Sequence, residues 1–304
     1  MPEIYSDEID IREIFLSLWK RKKLIFSITS IISISALIYS LSLPDIYTSV
    51  SRLAPSAPED SLTSKLGGLA TFGSLAGVSL PPDSISKSQE AVERMKSFEF
   101  FSSYILPNIR LEDMMAVKKW IPGENILIYD DKLFDESSGK WVRDVSYPKK
   151  PMPSNQEAFK VYKEIFRISE DNKSLFLSVS IKHHSPYIAK DWLVLIINQI
   201  NESMLIRDSE QAKKSITYLG DTAQATNIQS IKEIISNLLE KEMQTLMLAA
   251  SNEDYIFSII DPPLVPEIKS DPSRSIICIL GTMFGFMVSI LTALLLDYRK
   301  FFRS

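Results

Sequence analysis

The stretch IDPPLVPEIKSDPSRSIICILGTMFGFMVSILTALLLDYRKFFRS, residues 260–304, decides the fold of this 304-residue chain. Its apolar part, residues 276–296, carries no charge. A helix of about 20 such residues spans roughly the 30 Å hydrocarbon core of a bilayer. Four prolines stand directly ahead of this run: Pro262, Pro263, Pro266 and Pro272. Because proline fixes φ and favours an extended backbone, the sequence predicts a stiff segment that leads into a membrane-spanning helix.

A second uncharged run, LIFSITSIISISALIYSLSL at residues 24–43, lies near the other end of the chain. A cleaved signal peptide also begins with basic residues, but its apolar region is only about 7–15 residues long. We therefore interpret this run as a retained membrane span. Ahead of it, four apolar residues recur at helical spacing and form either a short interfacial helix or an extension of the span. They are Ile11, Ile14, Phe15 and Leu18.

Basic residues flank the two spans on their outer sides. The sequence KRKK occupies residues 20–23 ahead of the first span, and three basic residues follow the second: Arg299, Lys300 and Arg303. By the positive-inside rule, both termini are expected in the cytoplasm. The expected domains are a cytoplasmic segment at 1–23, spans at 24–43 and 276–296, a periplasmic domain at 44–275 and a cytoplasmic tail at 297–304.

The segment between the spans mixes strand and helix patterns, so the expected fold class is an α+β membrane protein. Strand patterns occur in YTSVSRLAPS (residues 47–56), SLFLSVSIKH (174–183) and DYIFSIID (254–261), with a hairpin expected over 125–145. Helical periodicity covers 85–106, and Ser154 with Glu157 forms a capping box that begins another helix.

A long helical stretch begins at Ser185 and Pro186 and continues to about residue 252. A break is expected at Gly220 and Asp221, which would leave two helices of about 30 residues, each roughly 45 Å long. Such helices are too long for a small domain to bury. They are therefore expected to project from an α/β base and to pack against copies of the chain.

The glycine-rich loop SLTSKLGGLATFGSLAGVSLPPD, residues 61–83, raises the question of a phosphate site. Gly68 and Gly73 have the spacing of the P-loop glycines, but Ser74 stands where the phosphate-binding lysine is required. The nucleotide interpretation therefore fails. A flexible, apolar loop close to the membrane is the better interpretation.

Composition and motifs exclude several classes of function. The net charge is −4, with no cluster of basic and aromatic residues, so nucleic-acid binding is not expected. Cys278 is the single cysteine, and the adjacent His183 and His184 point to opposite faces of a strand, so no metal site is predicted. No catalytic motif is found, and neither a cofactor nor an enzymatic activity is expected.

Five segments together resemble the Wzz polysaccharide co-polymerase family, the chain length determinants of bacterial surface polysaccharides. They are DEIDIREIFLSLWKRKKLIF (residues 7–26), PDIYTSVSRLAPS (44–56), SQEAVERMKSFEFF (88–101), SPYIAKDWLVLIINQINE (185–202) and IDPPLVPEIKSDPSRSIICILGTMFGF (260–286). The two terminal segments are the most specific. None is a catalytic fingerprint, so the resemblance depends on the order of the segments and on the topology.

The resemblance implies a protein of a Gram-negative inner membrane whose periplasmic part has a membrane-proximal α/β base and a long projecting helix. Members of the family assemble into octamer-like rings and set how many repeat units a Wzy-type polymerase adds to a glycan. That glycan is carried on undecaprenyl diphosphate, and the usual product is the O antigen of lipopolysaccharide. Homo-oligomers, the polymerase and the lipid-linked polysaccharide are thus the implied partners.

Two other functions share parts of this topology. A two-span sensor requires a long cytoplasmic output domain, and some family members carry a tyrosine kinase after the second span. With eight residues at 297–304, neither is expected here. A periplasmic adaptor for capsule or exopolysaccharide export, with a separately encoded kinase as a partner, is the alternative. Such adaptors usually have one span and paired lipoyl-like β segments, which the sequence lacks.

Three sets of residues are the candidates for the functional site. The proline segment comprises Pro262, Pro263, Pro266 and Pro272, and is expected to couple the periplasmic domain to the membrane. Gly281 and Gly285 form a G-x-x-x-G motif that is expected to pack on the first span. Lys213 and Lys214, on a projecting helix, are candidates for contact with the glycan or a partner.

Overall fold

The computed structural model describes residues 19, 21–56, 86–171, 176–251 and 254–301, with only the backbone of 251 and 297–301. The predicted interfacial helix positions and the glycine-rich loop lie outside the described residues. The chain forms two compact units: residues 1–45 with 269–304, and residues 46–268.

Helices and strands are mixed along the described part of the chain. The helices are α1 Lys22–Ser42, α2 Lys87–Met95, α3 Phe98–Phe100, α4 Leu111–Met115, α5 Asn155–Ile165, α6 Pro186–Ala225, α7 Gln229–Ser251 and α8 Arg274–Phe301. The strands are β1 Tyr47–Pro55, β2 Val117–Ile121, β3 Ile126–Tyr129, β4 Phe134–Asp135, β5 Lys140–Trp141, β6 Phe166–Glu170, β7 Leu177–His183 and β8 Phe257–Asp261. This is the mixed α and β architecture, with a long apolar helix towards each end, that the sequence predicts.

An antiparallel sheet of four strands, in the order β6-β7-β1-β8, organises the unit of residues 46–268. Along β7, Leu177, Val179 and Ile181 are buried and alternate with half-buried polar residues. The predicted one-faced strand is therefore confirmed. The register is fixed because a shift by one residue would turn this apolar row away from the core.

Helices α5 and α6 begin where the sequence predicts. Ser154 Oγ accepts the Glu157 amide at 3.3 Å, and the Glu157 carboxylate accepts the Ser154 amide at 3.1 Å, which completes the capping box. Ser185 caps α6, with Pro186 at the first helical position. Each cap satisfies amides that would otherwise lack partners at a helix start.

The core of this unit lies between the inner face of the sheet and one face of α6. Tyr162 is buried there, and its hydroxyl donates to the Met95 carbonyl at 2.9 Å. The apolar row of α6 supplies four side chains that are fully buried: Leu193, Ile196, Ile197 and Ile200. Burial of aliphatic side chains contributes about 1.5–3 kcal/mol each, so this row anchors the first half of α6.

Three predicted element boundaries are wrong. Helix α6 runs unbroken through Gly220 and ends at Ala225, and it is followed by the extended residue Thr226. A single glycine costs a helix only about 1 kcal/mol, and a helix of 40 residues accommodates that cost. The two long helices therefore have 40 and 23 residues, and not about 30 each.

The other two corrections concern residues 85–145. The predicted helix over 85–106 is interrupted after Met95, because Ser97 caps a new start by accepting the Phe100 amide. The expected hairpin over 125–145 is confirmed only in part: β4 pairs with β5 around the acidic turn that follows Asp135, whereas β3 pairs with the preceding strand β2. Asn125 at φ 53° forms that turn, since asparagine tolerates the left-handed region.

Candidate functional site: the paired apolar helices and the proline segment

Helices α1 and α8 pack side by side through the predicted glycine motif. A Cβ built at Gly281 would overlap the side chain of Ala36, and one built at Gly285 would lie 3.0 Å from the Cβ of Ile32. The missing side chains therefore let the two backbones approach closely. The structure thus places both glycines against the first span, which is the contact the spacing predicts.

Hydroxyl groups connect the same two helices. Thr29 donates to Ser289 at 3.2 Å, and Ser33 lies 2.9 Å from the Thr282 hydroxyl. The Thr282 hydroxyl also donates to the Cys278 carbonyl one turn back, at 2.8 Å, so Ser33 is the donor to Thr282. These bonds satisfy hydroxyls that would find no water within a bilayer.

The remaining faces of the two helices are apolar and exposed. Phe26 is 76% exposed on α1, and Met283 and Leu295 are each 64% exposed on α8. In water such surfaces would be costly, whereas lipid chains solvate them without cost. Both helices have the length and composition needed to cross a membrane.

Asp45 binds two basic side chains between the end of α1 and the start of α8. One oxygen of the Asp45 carboxylate accepts Lys269 Nζ at 2.9 Å and Arg274 Nη2 at 2.8 Å. Asp45 follows α1, while Lys269 and Arg274 precede and begin α8. The three charges thus tie the end of α1 to the start of α8, and the charge-assisted bonds fix which residues meet there.

The proline segment is held beside strand β1 by two serine hydroxyls. Pro262 and Pro263 have no amide hydrogen, so β8 cannot continue its ladder with β1 beyond Asp261. Ser51 Oγ instead donates to the Asp261 carbonyl at 2.7 Å, and Ser49 Oγ donates to the Leu264 carbonyl at 2.8 Å. The hydroxyls replace the missing backbone bonds and keep the segment in register with β1.

The two serines lie on the same face of β1 and are each 1% exposed. Sequence reasoning missed them, as it missed Asp45. The sequence nevertheless contains a pattern that identifies them. Ser49 and Ser51 alternate with larger residues along β1, and the next inward residue is Leu53. Small hydroxyl residues at inward positions indicate that another backbone approaches closely there.

The other predicted site residues have simple positions. Pro263 is buried, Pro266 and Pro272 are half-buried, and Pro262 is exposed. Lys213 and Lys214 are both exposed on α6, next to the buried Ala212. The lysines therefore face solvent in the single chain, where a glycan or partner would have access to them.

His183 has a structural position and not that of a ligand. Its Nδ1 accepts the Ser185 amide at 2.9 Å, so its Nε2 carries the proton and donates to the Asp113 carbonyl at 2.8 Å. Burial lowers the pKa of His183 to about 4, and burial likewise raises the pKa of Asp113. Within the described residues, no three side chains of His, Cys, Asp or Glu cluster as metal ligands would.

Comparison with known proteins gives one sequence family. Residues 7–105, about a third of the chain, match the model of the family described as "Wzz: Chain length determinant protein". No curated protein matches the chain.

Two solved structures match much of the length of the chain. One, described as a full-length bacterial polysaccharide co-polymerase, covers 97% of this chain and 98% of its own, with 14% identity and a TM-score of 0.40. The other, a fragment of WzzB, the polysaccharide co-polymerase from Salmonella Typhimurium, covers 75% and 100%, with 16% identity and a TM-score of 0.33. Residues 7–105 are thus similar to the Wzz chain length determinant family, in agreement with the resemblance seen in the sequence.

Proposed function

We propose that this chain regulates the length of a bacterial surface polysaccharide. More narrowly, it sets the modal length of the O antigen that a Wzy-type polymerase builds on undecaprenyl diphosphate. The observation that carries the proposal is the match of residues 7–105 to a family of chain length determinants, which supports length regulation of polysaccharide in general. Proteins of this family act as regulators and not as catalysts, so the chain acts on the polymerase.

The proposed location is the inner membrane, with both termini in the cytoplasm and residues 44–275 in the periplasm. Two apolar helices of spanning length support it, as do the basic flanks outside them. The ion pairs of Asp45 with Lys269 and Arg274 lie just beyond the apolar runs. Charged groups at that level stay in contact with water and headgroups while the helices remain in lipid.

The proposed mechanism couples the sheet to the membrane helices through the proline segment. Two serine hydroxyls fix the start of the segment on β1, and the charges on Asp45 and Arg274 fix the place where α8 begins. A segment restricted in φ is expected to transmit a displacement instead of absorbing it. The periplasmic part of an oligomer could therefore position the spans beside which the polymerase docks.

The proposed assembly is an octamer-like ring of identical chains. Helix α7 supports it, because three of its large apolar side chains are exposed in the single chain: Ile234 at 60%, Leu238 at 44% and Met247 at 64%. Apolar patches of this kind mark interaction surfaces. Lys213 and Lys214 on α6 are then proposed to contact the glycan or a partner outside the packed helices.

Deleting the gene tests the proposal against the export alternative. A length regulator predicts that the total amount of surface polysaccharide is nearly unchanged while its preferred length is lost. An export adaptor predicts that polymer no longer reaches the surface. Immunoblots of surface and intracellular polysaccharide separate these outcomes, and loss of all surface polymer would contradict our proposal.

The proline segment has its own test. A variant with alanine at Pro262, Pro263, Pro266 and Pro272 should insert normally but change the polymer length, because alanine restores freedom of φ. Membrane fractionation checks the insertion, and a polysaccharide gel measures the length. Normal length control by a stably inserted variant would show that the stiffness of the segment is incidental.

A further inference from the structure

The hairpin of β2 and β3 presents an apolar face that no other element covers in the described part of the chain. In its register Lys119 is opposite Ile128 and Ile121 is opposite Ile126, so these four side chains share one face. Ile126 is 47% exposed and Ile128 is 40% exposed.

The opposite face of the hairpin is already occupied. Leu127 and Tyr129 pack there on a small cluster with Phe134 and Trp141. The isoleucine face therefore points away from this cluster, and its exposure is not a gap in the core of the unit.

The covalent chain keeps this hairpin close to the membrane. The Trp120 ring makes an edge contact with the Tyr47 ring, at 5.4 Å between centroids, and lies 6.2 Å from Tyr187. Tyr47 is only five residues beyond Ser42, where α1 ends. Five residues extend at most about 18 Å, so Tyr47 and the hairpin beside it cannot be far from the lipid boundary.

The composition of the hairpin suits an anionic lipid surface. Lys118 and Lys119 are exposed, and neither forms an ion pair with any other described residue. Residues 117–129 contain these two lysines and one acid, Glu124, which leaves a net charge of +1. Lysine beside aliphatic residues is typical of segments at the membrane interface, where the long side chain can reach lipid phosphates.

A second copy of the chain is the weaker candidate for covering this face. Two isoleucines expose much less area than a stable protein interface buries. A partner surface would also need a carboxylate opposite the lysine pair, whereas phospholipid phosphates lie along the whole membrane surface.

We propose that the β2–β3 hairpin docks on the membrane that holds α1 and α8. Ile126 and Ile128 enter the headgroup layer there, and Lys118 and Lys119 lie against lipid phosphates. The inference depends on the membrane anchoring and not on the identity of the polysaccharide.

A spin-label experiment on the full chain tests this. In a Cys278→Ser background, Ile126→Cys carries a nitroxide, and vesicles of phosphatidylethanolamine with phosphatidylglycerol hold the protein. The control label is at Tyr218→Cys, which is 71% exposed on α6. It lies 31 residues beyond Tyr187, about 46 Å along the helix from the hairpin.

The expected result is that the label at position 126 is accessible to oxygen and loses accessibility to a water-soluble nickel chelate, whereas the label at 218 remains accessible to the chelate. Equal access to the chelate at both positions would overturn the proposal. Shielding of position 126 from both reagents would also overturn it, because a protein partner would then cover the face.

The role of the lysines has a separate test with a matched pair. Lys118→Glu with Lys119→Glu should restore access of the chelate to the label at 126, because the reversed charges repel anionic lipid. Lys213→Glu with Lys214→Glu, the same change at an exposed lysine pair on α6, should leave the label shielded. If the first pair changed nothing, the lysines would not bind phosphate and the proposal would fail in its choice of an anionic surface.

Discussion

A missing side chain at Gly281 sets the distance between the two apolar helices. The methyl group of Ala36 fills the space in which a side chain at residue 281 would lie. We predict that Gly281→Ala weakens the pairing of α1 and α8 and shifts the polysaccharide length. Adding Ala36→Gly should restore the length, because the double variant again has a single methyl group at this contact, now on α8 and not on α1. The length profile on a polysaccharide gel is the measurement.

The control for this exchange lies on the exposed face of the same helix. Met283→Ala removes a side chain that is 64% exposed and should leave the length profile as it is. The account of the helix contact would be contradicted if the double variant behaved no better than Gly281→Ala, at equal protein levels by immunoblot.

Protonation of His183 is expected to destabilise the unit of residues 46–268 in acid. Its pKa is about 4 in the folded chain against an ordinary value of 6.5, because burial disfavours the charged ring. Above pH 6.5 the ring is neutral in both the folded and the unfolded chain, so the fold carries no penalty. As the pH falls from 6.5 to 4, the unfolded chain binds the proton first, and the free energy of unfolding falls by about 3 kcal/mol. Thermal unfolding of the detergent-solubilised protein, measured across this range, checks the prediction.

The contribution of His183 to acid sensitivity follows from comparing a His183 variant with the unmodified chain. His183→Gln should be less stable at neutral pH and should show a flatter dependence between pH 6.5 and 4 than the unmodified chain. His184→Gln, at the half-buried neighbour, should keep the full dependence. An equally steep pH dependence in His183→Gln would assign the acid sensitivity to other groups.

At the scale of elements, the junction of β1 with the proline segment depends on two hydroxyls. Ser51→Ala would leave the Asp261 carbonyl without its bond, and Ser49→Ala would do the same to Leu264. Each should lower the free energy of unfolding by about 1–2 kcal/mol. Val50→Ala, on the exposed face of the same strand, should change it by less than about 0.5 kcal/mol. Chemical unfolding followed by circular dichroism compares the three variants, and equal effects would argue against the hydroxyl bonds.

Two glycines offer opposite results for the same substitution. Gly220 lies inside α6 with nothing near an added Cβ, so Gly220→Ala should stabilise the chain by about 0.5–1 kcal/mol. Gly139 also has open space but a φ of 65°, so Gly139→Ala should destabilise it by about 1 kcal/mol. A destabilising Gly220→Ala would indicate that the helix bends there when it functions.

The sequence predicts some elements well for identifiable physical reasons. The one-faced strand β7 and the caps at Ser154 and Ser185 could be predicted because each depends only on residues that are neighbours in the sequence. The continuity of α6 through Gly220 is not local, since packing along the rest of the helix outweighs the cost of one glycine.

The candidate site divides in the same way. The spacing of Gly281 and Gly285 indicates a close helix contact, but the partner residues Ala36 and Ile32 follow only from the three-dimensional structure. The prolines are visible in the sequence, whereas the hydroxyl bonds of Ser49 and Ser51 depend on how β8 ends beside β1. Sequence separations of 210 and 215 residues keep these contacts out of reach of any local pattern.

At the scale of the whole molecule, the chain has two units that are suited to different solvents. The exposed apolar faces of α1 and α8 are suited to lipid, whereas the four-stranded sheet and α6 bury their apolar side chains in a common core. The proline segment and the charges at Asp45 are where the chain changes from one solvent to the other.

The most direct test of this account is the length distribution of the surface polysaccharide in a deletion strain, before and after the gene is returned at its normal level. We predict that the deletion strain makes polymer without a preferred length, with band intensities that fall steadily as the chain grows. Returning the gene should restore one modal length. A deletion strain that keeps the same modal length as its parent would contradict the central claim that this chain determines polysaccharide length.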